Sequence, residues 1–137
     1  MVQKGIELAT WVKVHLKSSW GRPAIYMENP VGSLQYQEYI KDWERTGDVE
    51  RKMVHYCHYD HYYHKPTHIW TNMRKLREGR CGQRCKYGFR NYKGKWEHKY
   101  KIAQGSRQAK GGQGRKAFKN MMPCLLHKGL VQAALKL

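Results

Sequence analysis

The chain has 137 residues, of which 27 are Lys or Arg and 10 are Asp or Glu, so its formal net charge is +17. This length predicts one domain or part of a larger one, and 40% hydrophobic and 12% aromatic residues exclude a wholly disordered protein. We expect a soluble, intracellular protein, because no apolar run approaches the roughly 18 residues of a membrane span and the N-terminus lacks a signal peptide's apolar stretch.

The chain begins with a predicted amphipathic helix at residues 4–20, where apolar side chains recur at three- and four-residue spacings. Gly21 is suited to end this helix, and Pro23 could not continue it. The next run, residues 24–27, is short and wholly apolar, which after a helix is typical of a central, parallel strand. This strand leads directly into Glu28-Asn29-Pro30.

Two further strands are predicted in the middle of the chain. Residues 34–43 fit a helix or an irregular helical segment, and Gly47-Asp48 marks a break after it. Strands are expected at residues 52–57 and 67–71, where β-branched and aromatic side chains cluster, with a connecting loop at 58–66.

The remaining sequence divides into a basic segment and a final helix. Residues 74–119 show weak periodicity, and residues 105–114 are typical of a flexible linker. The helix spans 123–137, with one apolar face formed by Leu126, Leu130, Val131, Ala134 and Leu135. We therefore predict an α/β core at 1–73, a basic, loop-rich insertion at 74–119 and a C-terminal helix at 120–137 that packs back on the core. A parallel sheet this short has exposed edges, which indicates part of a larger domain or one that needs a partner.

Positive charge is concentrated in residues 74–119, which contain 16 Lys or Arg and two Glu, and so carry +14 of the +17. Aromatic residues interleave with these cations at Tyr87, Phe89, Tyr92, Trp96 and Tyr100. Cations neutralise phosphates and rings stack on bases, so the segment predicts binding to DNA or RNA, with a solvated basic loop as the alternative. The candidate phosphate contacts beside the Gly-rich linker are Lys110, Arg115 and Lys116.

The most specific local motif is the strand that runs into Glu28-Asn29-Pro30. Ligands of open α/β sheets bind outside the carboxyl ends of the strands, and a carboxylate there can hydrogen-bond a ring nitrogen of a substrate. The alternative is a strand-end turn, since Asn-Pro is a common turn dipeptide.

This motif and residues 56–72 together resemble the DNA cytosine-5 methyltransferases, especially their divergent phage- and virus-like branch. Glu28-Asn29-Pro30 is similar to the family's Glu-Asn-Val strand end. Residues 59–67 lie over its Tyr-Gly-x-Pro-Gln-x-Arg-x-Arg loop, and Lys-Pro-Thr-x-Ile-Trp-Thr-Asn at 65–72 looks like the phage-like branch. Lys119-Asn120-Met121-Met122-Pro123 resembles the family's Gly-Asn-x-x-Pro entry to its final helix.

The resemblance implies a partial Rossmann-like methyltransferase sheet and the family reaction, transfer of a methyl group from S-adenosylmethionine to C5 of cytosine. Glu28 would engage N3 of a flipped cytosine, and Asn29 would organise its loop. Lys65 would replace the first arginine of the Arg-x-Arg pair, and Thr67 the second, offering a hydroxyl. Asn120 would lie near S-adenosylmethionine.

Departures from the family argue against methyltransferase activity of this chain alone. No Pro-Cys nucleophile and no Gly-rich cofactor turn lie upstream of Glu28. Asp60 stands where the family has Gly, and Tyr62 where it has Pro. Pro123-Cys124 occurs at the wrong end of the chain. The sequence therefore looks like a fragment or degenerate copy of a methyltransferase, with a complementing half as a partner.

The cysteines support an alternative function. Cys81-x3-Cys85, with Cys57-His58 before and His98 after, contains the residue types that bind zinc, although the spacing is looser than that of paired C-x2-C knuckles. The other interpretation is free thiols in a basic loop. A zinc-stabilised, non-catalytic nucleic-acid-binding module is the alternative to the methyltransferase-like protein.

Overall fold

The computed structural model describes residues 1–15, 23–99 and 121–137, with the backbone alone for residues 9–15. The described chain is a mixed α/β fold, as predicted. Its α-helices are α1 (Val2–His15), α2 (Glu38–Arg45) and α3 (Cys124–Ala134). Its strands are β1 (Tyr26–Pro30), β2 (Glu50–His55), β3 (Pro66–Thr71), β4 (Gly88–Arg90) and β5 (Trp96–His98), and short 3-10 helices span Ser33–Tyr36 and Tyr56–Tyr59.

The main sheet has three strands in the order β1-β3-β2, and β3 runs antiparallel to both neighbours. The prediction of parallel strands is therefore wrong. Residues 56–65 are all that connects β2 to β3, and a parallel crossover needs a dozen or more residues. The Rossmann-like arrangement is not confirmed by this sheet. Because β1 and β2 both oppose β3, they point the same way without pairing with each other.

Strand β1 lies later in the chain than the predicted strand. The apolar run predicts a strand at residues 24–27, but β1 begins at Tyr26 and includes Glu28 and Asn29. Backbone pairing with β3 decides this position, because Pro30 is still paired with Thr67. Glu28 is therefore a strand residue near the end of β1, not the first residue of a loop.

Several other elements agree with the sequence analysis. The first helix is present at α1, although residues 16–22 lie outside the described part of the chain. The irregular helical segment is a 3-10 helix followed by α2, and the break after it contains Gly47 at a φ of +72°. Strand β3 matches its prediction within one residue, whereas β2 ends two residues early and continues as a 3-10 helix.

The core lies on both faces of β3, whose alternate side chains enter two apolar clusters. Ile69 is fully buried in a cluster with Val54, Tyr56, Met73, Leu76, Leu126, Leu130 and Ala133. Trp70 is fully buried on the opposite face with Ile40, Trp43 and Val49. Such two-sided burial holds β3 at the centre of the fold and packs α3 on one face and α2 on the other.

Helix α3 confirms the predicted C-terminal helix, but its buried face differs from the expected one. Leu126 and Leu130 are buried as predicted, and Ala133 joins them. Val131 and Leu135 are 47% and 82% exposed, so these two residues of the predicted apolar face do not belong to the buried face of the helix.

The basic segment contains a hairpin that weak periodicity did not predict. Strands β4 and β5 pair antiparallel, with Phe89 opposite Glu97. Each strand has three residues, which is too short to give a recognisable alternation. The predicted linker at 105–114 lies outside the described residues. Within the described ranges, no helix has the length and apolar character needed to cross a bilayer.

Candidate functional site

Three cysteines and one histidine form a cluster that could hold a metal ion. Cys57, Cys81, Cys85 and His98 each offer one ligand atom, and these atoms all lie within 4.8 Å of one another. His98 Nε2 is 3.3 Å from Cys81 Sγ and 3.6 Å from Cys57 Sγ. Ligand atoms about 2.0–2.3 Å from a tetrahedral zinc ion are separated by roughly 3.3–3.8 Å, so these distances are close to those of a zinc site.

Three separate segments supply the ligands. Cys57 lies in the 3-10 helix that continues β2, and His98 is the last residue of β5. Between them, Cys81 and Cys85 flank a tight turn in which Gly82 and Gln83 adopt φ values of +57° and +59°. The turn folds the two thiols towards each other, and the hairpin returns the chain so that His98 faces them.

Neighbouring histidines surround the cluster. His64 Nδ1 is 3.5 Å from Cys57 Sγ, and the His64 ring is 4.3 Å from the rings of both His55 and His98. The backbone N–H of Cys81 donates to His55 Nδ1 at 3.0 Å, which fixes that ring beside the ligands. Hydrogen bonds to the residues that carry the ligand atoms orient those atoms in metal sites.

Burial shifts the protonation of His64, His98 and Cys57 towards their neutral forms. It lowers the pKa of His64 to about 4, with smaller contributions from His55 and His98, and it also lowers the pKa of His98. Burial, followed by the neighbouring Cys81, raises the pKa of the Cys57 thiol. A neutral imidazole is ready to bind a cation, whereas a buried thiolate needs a bound cation to offset its charge.

A second polar cluster lies at the edge of the main sheet. The Tyr56 hydroxyl donates to Glu28 Oε1 at 2.9 Å, and Lys65 Nζ is 3.8 Å from the same oxygen. Lys65 Nζ also lies 4.5 Å from the centroid of the Tyr56 ring. Thr67 is fully buried next to this group and donates its hydroxyl to the Lys65 carbonyl at 3.1 Å. We call Glu28, Tyr56, Lys65 and Thr67 the sheet-edge cluster.

Sheet topology explains why these residues meet. β1 and β2 run in the same direction, so Glu28, near the carboxyl end of β1, and Tyr56, directly after β2, lie at the same end of the sheet. β3 runs the opposite way between them, and therefore begins at that edge with Lys65 just before it. Lys65 is only 9% exposed and has a φ of +29°, a conformation that a non-glycine residue adopts at an energetic cost. Burial and the Glu28 carboxylate raise the pKa of Tyr56, so its hydroxyl stays protonated as a donor.

Three of the predicted site residues are thus brought together: Glu28, Lys65 and Thr67. Asn29 lies on the opposite face of β1, where its side-chain amide donates to the Pro30 carbonyl at 2.7 Å. The remaining predicted residues lie outside the described part of the chain: Lys110, Arg115, Lys116 and Asn120.

Asp60 occupies the place where the resembled family has glycine. It adopts a φ of +62°, in the left-handed region that glycine enters freely and aspartate tolerates. Its carboxylate accepts from the Tyr87 hydroxyl at 2.9 Å and pairs with Lys86. The loop therefore keeps the glycine-like backbone, with side-chain contacts that glycine could not make.

Neither a family model, nor a curated protein, nor a solved structure matches this chain. Function is therefore inferred from the residues and their geometry.

The sequence does not identify Tyr56 as a member of the sheet-edge cluster, and it does not single out the metal ligands as one site. Tyr56 follows a strand and precedes a cysteine, and nothing in that pattern marks it as the partner of a glutamate 28 residues away. The four metal-binding residue types were recognisable, but their spacing did not show that they converge.

An exposed basic surface extends from the metal cluster. Ten exposed Lys or Arg lie between residues 74 and 99, opposed by Glu78 and Glu97. Arg84 and Lys86 line an open cleft of about 400 Å³ that is also lined by Cys57, Cys81 and Cys85. Cations at such a cleft can bind phosphate groups.

Proposed function

We propose that this chain is the target-base-binding and DNA-binding part of a DNA cytosine-5 methyltransferase-like protein. The observation that carries the proposal is the contact between Glu28 and Lys65, which are 37 residues apart and come from the two motifs that resemble the family. The resemblance assigns both residues to the neighbourhood of the target base. Their meeting at one sheet edge, with Thr67 beside them, supports a common site.

The sheet-edge cluster has the chemistry to hold a cytosine outside the duplex. An ionised Glu28 can accept from the 4-amino group of cytosine, and a protonated Glu28 can donate to N3. Tyr56 and Lys65 hold the carboxylate in place through its Oε1 atom. Lys65 adds a positive charge beside the carboxylate that would contact the base. In enzymes that modify bases, contacts of this kind offset the free energy needed to unstack the target base.

The described residues do not fit S-adenosylmethionine. No strand among them leads into a Gly-rich turn that could approach the cofactor closely, and Asn120 lies outside the described part. Three of the four cysteines belong to the metal cluster, and exposed Cys124 begins α3. We therefore propose that methyl transfer requires a complementing half that supplies the nucleophile and the cofactor site.

Exposed apolar side chains support such a partner. On α3, Leu125, Val131 and Leu135 are each about half exposed or more. Strand β1 is an edge of the sheet among the described residues, and an unpaired edge offers backbone groups to another chain. A methyltransferase half that continues this sheet would cover both features.

We further propose that the metal cluster binds one Zn²⁺ ion. Three thiolates and one imidazole are a common structural ligand set, and four protein ligands leave no open position for catalysis. This cluster favours a second candidate function, a zinc-stabilised nucleic-acid-binding module that recognises no target base. The two candidates differ in what they require of Glu28.

A binding comparison separates them. Three duplexes would be identical except at one position, where cytosine, thymine or adenine stands opposite an abasic site and is therefore easily extruded. We expect the parent protein to prefer cytosine by about tenfold, because a well-placed pair of hydrogen bonds to a base contributes roughly 1–3 kcal/mol of discrimination. Fluorescence anisotropy at fixed salt gives the affinities.

Glu28 variants test the cause of that preference. Glu28→Ala should remove it, whereas Glu28→Gln, which keeps an acceptor and gains a donor, should retain it. Glu38→Ala removes a mostly exposed glutamate that also pairs with cations, and serves as the control. Thermal unfolding checks that each variant is folded. Equal affinity of the parent for all three duplexes would reject the methyltransferase-like proposal and favour the second candidate.

A further inference from the structure

We propose that the β4–β5 hairpin is a stacking platform for the unpaired bases of single-stranded nucleic acid. This inference rests on the proposed nucleic-acid binding and adds a surface and a substrate class to it. The observation behind it is a pair of exposed rings on a basic hairpin: Tyr92 is 91% exposed and Phe89 is 41% exposed.

The strand register turns Phe89 away from the protein. Gly88 pairs with His98 and Arg90 with Trp96, so these four residues share one face of the hairpin. His98 directs that face towards the metal cluster. Phe89 alternates with Gly88 and Arg90, and therefore lies on the opposite, outward face.

The hairpin presents its rings on a rigid support. The Trp96 ring lies directly on Gly88, where an added Cβ would come within 2.1 Å of a ring carbon. Asn91 closes the turn, because its side-chain oxygen accepts from the backbone N–H groups of Lys93 and Lys95 at 2.9 and 3.0 Å. Tyr92 thus projects from an ordered turn, which lowers the entropy lost on binding.

The positive charge around the hairpin favours nucleic acid as its partner. Six Lys or Arg lie between residues 84 and 99, against Glu97 alone. Lys93 Nζ lies 5.4 Å from the Tyr92 ring centroid, so cation and ring are adjacent. A strand of nucleic acid offers phosphates to the cations and the faces of unpaired bases to the rings. In a duplex the base faces are already stacked, so the rings should favour unpaired strands.

The test compares a labelled single-stranded 20-mer of thymidine with a mixed-sequence 20-bp duplex, both titrated by anisotropy at the same salt concentration. We expect Tyr92→Ala to lower affinity for the single strand about tenfold and for the duplex less than twofold, because a stacked base contributes roughly 1–3 kcal/mol. Tyr92→Phe should bind like the parent. Tyr36→Ala removes another exposed tyrosine, outside the hairpin, and should have no effect.

The outcomes separate this inference from the function on which it rests. A parent protein that binds neither oligonucleotide would overturn nucleic-acid binding altogether. Binding by the parent, with Tyr92→Ala unchanged on the single strand or equally weakened on both, would overturn the stacking platform alone. Because Tyr92 is exposed, its replacement should leave the fold intact, and an unchanged unfolding temperature verifies this.

Discussion

Removal of the proposed zinc ion should destabilise the protein by an amount that follows from the loop that the ion would close. Cys57 and His98 are 41 residues apart (98 minus 57), and a bound ion would join them. An ion that keeps this loop closed lowers the entropy of the unfolded chain. The corresponding free energy is about (3/2)RT ln 41, or roughly 3 kcal/mol, and this stabilisation is lost when the ion is removed. For a chain of this size, 3 kcal/mol corresponds to about 10 °C in unfolding temperature.

Two perturbations test this loss of stability: addition of a strong chelator, and Cys81→Ser, which removes one ligand. Metal analysis of the purified protein should find about one equivalent of zinc, and Cys81→Ser should release it. Thermal unfolding should then show the same loss of about 10 °C for chelator and variant. Cys124→Ser is the matched control, because Cys124 is exposed and lies outside the cluster.

Hydrogen exchange should show which residues become less stable when the metal is removed. Amides of residues 56–59 and 96–98 should exchange faster without metal, while those of β3, buried on both faces, should change little. Because Tyr56 adjoins Cys57, the contact between Tyr56 and Glu28 should loosen as well. Absence of bound metal, or a Cys81→Ser variant that unfolds at the parent's temperature, would contradict the proposed zinc site.

Three other perturbations have defined expectations. Gly79→Ala should cost about 1–3 kcal/mol in chemical unfolding, because an added Cβ would lie 2.3 Å from the Tyr59 hydroxyl. Glu78 has a lowered pKa, chiefly because the Met53 N–H donates to its carboxylate, so its stabilising contribution is present above its unfolded pKa and lost as pH falls through the folded pKa. Glu78→Gln should therefore be less stable than the parent at pH 7 and equal to it near pH 2, and a difference independent of pH would contradict this. In a salt titration of duplex binding, log K should fall with a slope of about −5 for roughly six phosphate contacts, and a slope near zero would show that the charge only solvates the surface. The slope should flatten by up to about three units when three cations are replaced together: Lys110, Arg115 and Lys116.

Several elements could be predicted because their sequence signals are local. The β-branched and aromatic run at β3, the turn at Gly47 and the apolar spacing of α3 each act within a few residues, and each is present. The mixed α/β class follows from them. The strand direction was misjudged because an apolar run indicates burial on two faces and not the direction of its neighbours.

Tertiary structure alone decided both candidate sites. Glu28 and Lys65 could be named from motifs, but their contact depends on β3 entering between β1 and β2 from the opposite direction. The metal ligands lie 24, 4 and 13 residues apart along the chain, and the hairpin that returns His98 to the cysteines is built from strands of three residues. Such short strands carry no periodic signal, because their position is fixed by contacts with distant segments and not by their own sequence.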